Sequence, residues 1–205
     1  MSRHTRGIII ALCLLAVGAL ILLDQACTNQ RSEPVSAAQA GTYDFNRYHN
    51  KSFTVVKVVD GDTIDIEAPD GDKKYTRIRL WGIDTPETKH PEFGVMYFGP
   101  EAAEYASKLA LGNKVTIYLE EHRTRDKYGR LLAYVQLPEG RFLNEVLVSQ
   151  GFAYADLRFR HSFYHKYKQL ESSARRQKKG LWKKIKREQL PEWLQRREPN
   201  LLLKK

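Results

Sequence analysis

Two short runs, Asp60-Gly61-Asp62-Thr63 and Arg79-Leu80-Trp81-Gly82-Ile83-Asp84-Thr85-Pro86-Glu87, carry residue types that can act together on a phosphodiester. Asp62 and Asp84, brought close, would repel each other unless a cation sat between them. Glu87 adds a third carboxylate for work on water, and Arg79 a planar fork that suits an oxyanion. These are the parts that metal-assisted phosphodiester cleavage needs. Asp126-Lys127-Tyr128-Gly129-Arg130 adds a second arginine and a lysine. Each run taken alone is an ordinary turn or strand end. Together, each flanking an apolar run that fixes its direction, they point to one site.

Those runs need strands to hold them. Phe53 to Val59 is β-branched, Thr63 to Glu67 alternates, and Tyr75 to Ile83 follows as a third strand, which makes a meander. Val115–Leu119 and Leu131–Val135 supply two more strands. Gly99-Pro100-Glu101 opens a helix that stops at Gly112-Asn113. A second helix covers about Leu143 to Gln150, with Gly151 as its cap. Phe163, Tyr167, Leu170, Ala174 and Leu181 fit the helical period of a third that ends near Trp182. The expected fold is α+β: a five-stranded OB-type barrel with three packed helices, preceded by an N-terminal hydrophobic helix. The six histidines show no zinc spacing and read as surface residues.

From about Phe53 to Trp182 the chain resembles the staphylococcal nuclease (thermonuclease) family. The matching text is Val59 to Thr63, Arg79 through Pro91, Tyr97 to Ala102, Asp126 to Arg130, and Asn144-Glu145 with Gln150-Gly151. The resemblance implies that Asp62 and Asp84, with the carbonyl of Thr85, hold Ca2+, a hard ion that takes oxygen ligands in irregular geometry. It implies that Glu87 orients or deprotonates the attacking water and that Arg79 and Arg130 grip the phosphate. Lys127 and Tyr128 would contact a terminal phosphate. Two family tyrosines that border the bound nucleotide fall here on Leu157 and Phe159, of which only Phe159 can stack on a base. The implied activity is calcium-dependent endonucleolytic hydrolysis of DNA and RNA, single strands favoured, with little sequence preference. The competing class is a catalytically inactive, membrane-tethered nucleic-acid-binding OB module. Its usual mark would be loss of one of Asp62, Arg79, Asp84, Glu87 or Arg130, and all five are present.

The remainder of the chain speaks to organisation. Arg3 and Arg6 precede an uncharged run from Gly7 to Leu23, closed by Asp24. This reads as a signal peptide or membrane anchor over residues 1–24, with the domain outside the cytoplasm or secreted. Residues 25–50 read as a linker, 51–182 as the domain and 183–205 as a basic tail. The net charge of +10 resides at the C-terminal end, because residues 41–174 balance at 19 basic and 19 acidic. Residues 175–205 hold 12 basic and 3 acidic, most simply a solvated face or disordered end. The only cysteines are Cys13 and Cys27, so the domain has neither a disulfide framework nor a thiolate metal site. A monomer is expected.

Overall fold

The computed structural model describes residues 37–89 and 94–202. The hydrophobic N-terminal segment lies outside them, and among the described residues no helix is long and apolar enough to cross a membrane. The chain divides between Gln39 and Ala40, and the C-terminal unit carries the fold.

Five strands close into a barrel in the order β1-β2-β3-β6-β5: β1 (Lys51–Asp60), β2 (Thr63–Ile66), β3 (Thr76–Leu80), β5 (Lys114–Tyr118) and β6 (Leu131–Gln136). Strand β1 serves two neighbours. Its first residues, Lys51–Thr54, pair antiparallel with β5, and Val55–Asp60 pair with β2 through two register shifts. Such bulges sharpen the bend that closure requires. In β3, Thr76, Ile78 and Leu80 point inward while Arg77 and Arg79 point outward. This is the period-two alternation by which a strand delivers a guanidinium to one face and a core to the other. Val55, Ile64, Ile78, Val115, Ile117 and Val135 are among the fully buried interior residues.

β3 and β6 run parallel, Arg79 facing Leu132. A buried amide pins that seam: Asn144 accepts from the Val135 N–H at 3.0 Å and donates to the carbonyls of Trp81 (3.0 Å) and Ala133 (3.2 Å). Asn144 belongs to α3 (Leu143–Ser149), which therefore docks at a defined register. Helix α2 (Gly99–Ala110) lays Ala102, Ala106 and Ala110 on the barrel, small residues that permit close approach.

Several expectations are corrected. The third strand does not run through to Ile83; it breaks at Trp81-Gly82, where Gly82 takes φ +77°. Ile83–Asp84 becomes a separate strand, β4, paired with β7 (Tyr154–Ala155). His161 is not on the surface. Its ring lies over Gly82, only 8% exposed, where a Cβ on Gly82 would come within 2.5 Å of it. Gly82→Ala is thus expected to cost about 2–4 kcal/mol in urea unfolding, from left-handed backbone plus overlap. Because the overlap is with His161, the Gly82→Ala/His161→Ala pair should cost less than the sum of the single changes.

Beyond three packed helices, the described residues contain two more. Helix α1 (Ala37–Tyr48) occupies part of the expected linker. Asp44 and Tyr48, one turn apart, are both buried: Arg125 clamps Asp44 at 2.7 Å and Asp70 at 2.7 Å, and the Tyr48 hydroxyl meets that of Thr76 at 2.9 Å. The face that docks mixes a buried aspartate with the aromatic Phe45 and Tyr48, so hydropathy does not reveal it cleanly. Helix α4 (Tyr164–Arg176) ends a turn and a half short of Trp182. The chain turns there because Gly180 crosses Gly151 backbone to backbone, a contact at which a Cβ would stand 2.3 Å from the Gly151 oxygen. The basic tail is folded as well. Short 3-10 turns at Gly180–Lys183 and Arg187–Gln189 lead into α5 (Glu192–Arg197), and Leu190 and Leu194 are buried in a second apolar cluster with Tyr154, Leu181 and Trp182.

Candidate active site

The turn between β1 and β2 presents Asp62, the outward face of β3 presents Arg79, and β4 presents Asp84 with Thr85 behind it. Register brings them together, since Thr63 pairs with Arg79 and the Leu80 N–H donates to the Asp62 carbonyl at 2.8 Å. Arg79 joins the two carboxylates. Its Nη1 lies 2.6 Å from Asp62 Oδ2 as an ion pair without hydrogen-bond alignment, and its Nη2 donates to Asp84 Oδ1 at 2.5 Å. Asp62 Oδ2 also accepts from the Thr85 N–H at 2.8 Å, and Thr63 Oγ1 donates to Asp62 Oδ1 at 3.1 Å.

Burial pushes the Asp62 carboxyl up to about 6 despite the opposing pull of Arg79, and Asp60 adds to the rise. Burial also raises Asp84 against the pull of Arg79. For Arg79, burial works against the charge, but Asp62 and Asp84 outweigh it and hold the guanidinium more firmly protonated than usual. Asp60, Asp62, Asp84 and Asp156 act on Arg79, while Arg79 and Arg158 are the cations that act on Asp84. Among the described residues no three His, Cys, Asp or Glu side chains form a metal-holding cluster. What is present, two carboxylates and a neighbouring backbone carbonyl, is an all-oxygen set that fits calcium with water completing the shell.

Asp84, Thr85 and Glu87 line one cleft of about 980 Å³. Glu87 is exposed there, its backbone fixed by the Met96 N–H, which donates to the Glu87 carbonyl at 3.0 Å. Arg130 lies apart. It enters β6 beside Arg77 in a second cavity of about 480 Å³ with Tyr128, and its Nε donates to Asp126 Oδ2 at 2.7 Å. Tyr128 is 68% exposed, with the Lys127 ammonium 4.9 Å from its ring centre. Phe159, 41% exposed, stacks on Trp81 and carries the guanidinium of Arg123 at 5.1 Å. Leu157 is buried.

Sequence reasoning missed two neighbours of Asp84. Trp193 Nε1 donates to Asp84 Oδ2 at 2.8 Å, and Arg158 Nη2 approaches the same oxygen at 3.4 Å. The available signal was Leu190, Trp193 and Leu194, apolar residues at helical spacing inside a basic stretch. Their segment is clasped to α4 by Arg175, which donates to Glu171 (2.8 Å) and Glu198 (2.5 Å). Burial pushes Glu171 up to about 7 from an ordinary 4.5, against the pull of Arg175. The folded state therefore binds more protons than the unfolded chain between those values, and stability falls as pH rises through the window. Glu171→Gln should flatten that slope, by up to about 2–3 kcal/mol between acid and neutral pH, in urea melts at stepped pH.

With this geometry in hand, residues 77–184 match the family described as Staphylococcal nuclease homologue, and the chain belongs to that family. It is 32% identical over 183 residues to the thermonuclease of Staphylococcus hyicus, covering 89% of this chain and 99% of that protein. The thermonuclease of Staphylococcus intermedius is 33% identical over 155 residues, 76% of this chain and 82% of that one. An uncharacterized endonuclease of Escherichia coli O157:H7 is 33% identical over 148 residues, 69% and 82% of the two chains.

Proposed function

We propose that this nuclease is a calcium-dependent endonuclease that hydrolyses phosphodiester bonds of DNA and RNA, favouring single strands and reading little sequence. Membership of the family makes the chain a hydrolase of the nuclease class. The calcium requirement and the breadth of substrate are the proposal. The observation that carries it is the joining of two carboxylates, the buried Asp62 and the part-buried Asp84, through one guanidinium at the edge of the cleft that Glu87 lines.

Asp62, Asp84 and the Thr85 carbonyl would hold the ion. When bound, calcium supplies positive charge to the scissile phosphate and a place for water. Glu87 orients that water or takes its proton, in a cleft open enough to admit a polynucleotide. Arg79 turns its fork from the carboxylates to the phosphate oxygens as their charge grows, which suits a donor already held protonated by its surroundings. Arg130, released from Asp126, is the second grip. Lys127 and Tyr128 meet a terminal phosphate, and Phe159, backed by Trp81, stacks on a base. Water attacks phosphorus, the 5′ oxygen leaves, and 3′-phosphate ends remain. The groups named touch phosphate, charge and ring faces, which are common to all sequences.

The apolar run behind Arg3 and Arg6 supports an enzyme acting outside the cytoplasm, tethered or released, and we propose that it acts as a monomer. The test is incubation of the full chain with single-stranded DNA and RNA, in calcium or in chelator. Calcium-dependent fragments support the reading; retention of both polymers without cutting would support the inactive binding module instead.

A further inference from the structure

We propose that Trp193 is a positioning residue for Asp84, so that the C-terminal strap, residues 187–198, is a working part of the site. The inference rests on the reading of Asp62 and Asp84 as calcium carboxylates. An aspartate carboxylate turns easily about its last torsion, so its two oxygens hold a direction only if partners fix them. In Asp84, Arg79 fixes Oδ1 at 2.5 Å. Oδ2 has the Trp193 indole N–H at 2.8 Å, well within hydrogen-bond distance. Arg158 stands at 3.4 Å from that oxygen, but its Nε and Nη2 are already committed to Asp156 at 2.8 Å each.

The strap delivers the indole from a fixed base. Leu190 and Leu194 are buried beside Tyr154 and Trp182, and the Arg175 fork holds Glu198. The Trp193 ring stands edge-on to Tyr154, with the Arg158 guanidinium 4.7 Å from its centre. Tyr154 pairs with Asp84 across β4 and β7, so the ring rests against the residue paired with the one that carries the carboxylate. A neutral donor suits this task. It orients the anionic oxygen without adding a further positive charge to a carboxylate that Arg79 already meets at 2.5 Å. Hydrogen bonds behind a metal ligand commonly set affinity by a factor of ten or more.

The test is calcium binding to the full chain by titration calorimetry, comparing the parent with Trp193→Phe, which keeps a ring against Tyr154 and removes the N–H. The expected result is about tenfold weaker calcium binding in the variant, which should still unfold cooperatively in chelator. The calcium concentration that half-activates cutting should move by the same factor. A second measurement needs no folded variant: the Trp193 indole N–H signal of isotope-labelled parent should be protected from exchange and should shift on calcium addition. Equal calcium affinity in parent and variant, or an indole signal indifferent to calcium, would overturn the role of Trp193 while leaving the calcium reading intact. A parent chain with no saturable calcium binding would overturn both.

Discussion

Glu87→Gln is expected to lower turnover roughly 10²–10⁴-fold while leaving the substrate concentration for half-saturation nearly unchanged. Glutamine has the shape of glutamate and can still hold a water by hydrogen bond, but it cannot take a proton at neutral pH. Asp62, Asp84 and Arg79 are untouched by the change, so the groups that meet phosphate remain. A loss confined to turnover identifies an interaction made in the transition state alone. Single-turnover cleavage of a labelled single strand in saturating calcium measures it. A variant cutting within threefold of the parent would remove Glu87 from the chemistry and return it to the wall of the cleft.

Arg79→Gln should have two separable effects. Losing a donor to the charged phosphate should cost about 10²–10³ in turnover. The same change also leaves Asp62 buried, and Asp84 part-buried, without the cation that joins them, a loss of up to roughly 3–5 kcal/mol for a broken buried pair. That second penalty should appear in chelator at neutral pH and shrink as calcium is added, since a ligand of the folded state alone stabilises it. It should shrink in acid too. Both carboxyls already sit above their ordinary range in the parent, and without Arg79 they would rise further and protonate sooner as pH falls. Arg79→Lys would restore most of the stability, having the charge, and little of the turnover, having lost the fork. Urea unfolding with and without calcium, beside cleavage rates, resolves the two effects. Equal stability of parent and Arg79→Gln in chelator would mean that the joined carboxylates are not a strained charge centre.

What could be read from sequence follows the reach of each interaction. Asp62 and Arg79 belong to a meander of strands whose alternation is local, so their approach followed from it; the position of Asp84 did not, because β4 pairs with β7 far along the chain. The barrel was legible from the same local alternation. The break at Gly82 was not, because the ring packed over its left-handed backbone arrives from residue 161. Helix α1 was hidden because its docked face is held by Asp44 and Arg125, charged groups that register as solvent-facing in any hydropathy pattern. Trp193 was hidden by distance along the chain and by the lysines around it, whose charge suggested a solvated end. Arg130 is instructive in the opposite sense: its motif was plain, yet its side chain lies folded on Asp126 in a neighbouring cavity, a position that spacing alone does not reveal.

Strand β1 bears on where this protein can be cut or fused. Because its leading four residues close the cylinder against β5 while the rest serve β2, shortening the chain into those residues would do more than trim an end. It would strip one border of β5 bare, and an uncovered strand border is a template on which other chains assemble. Tags and domain junctions therefore belong upstream of helix α1, where they leave the cylinder sealed and the buried Asp44 and Tyr48 in place.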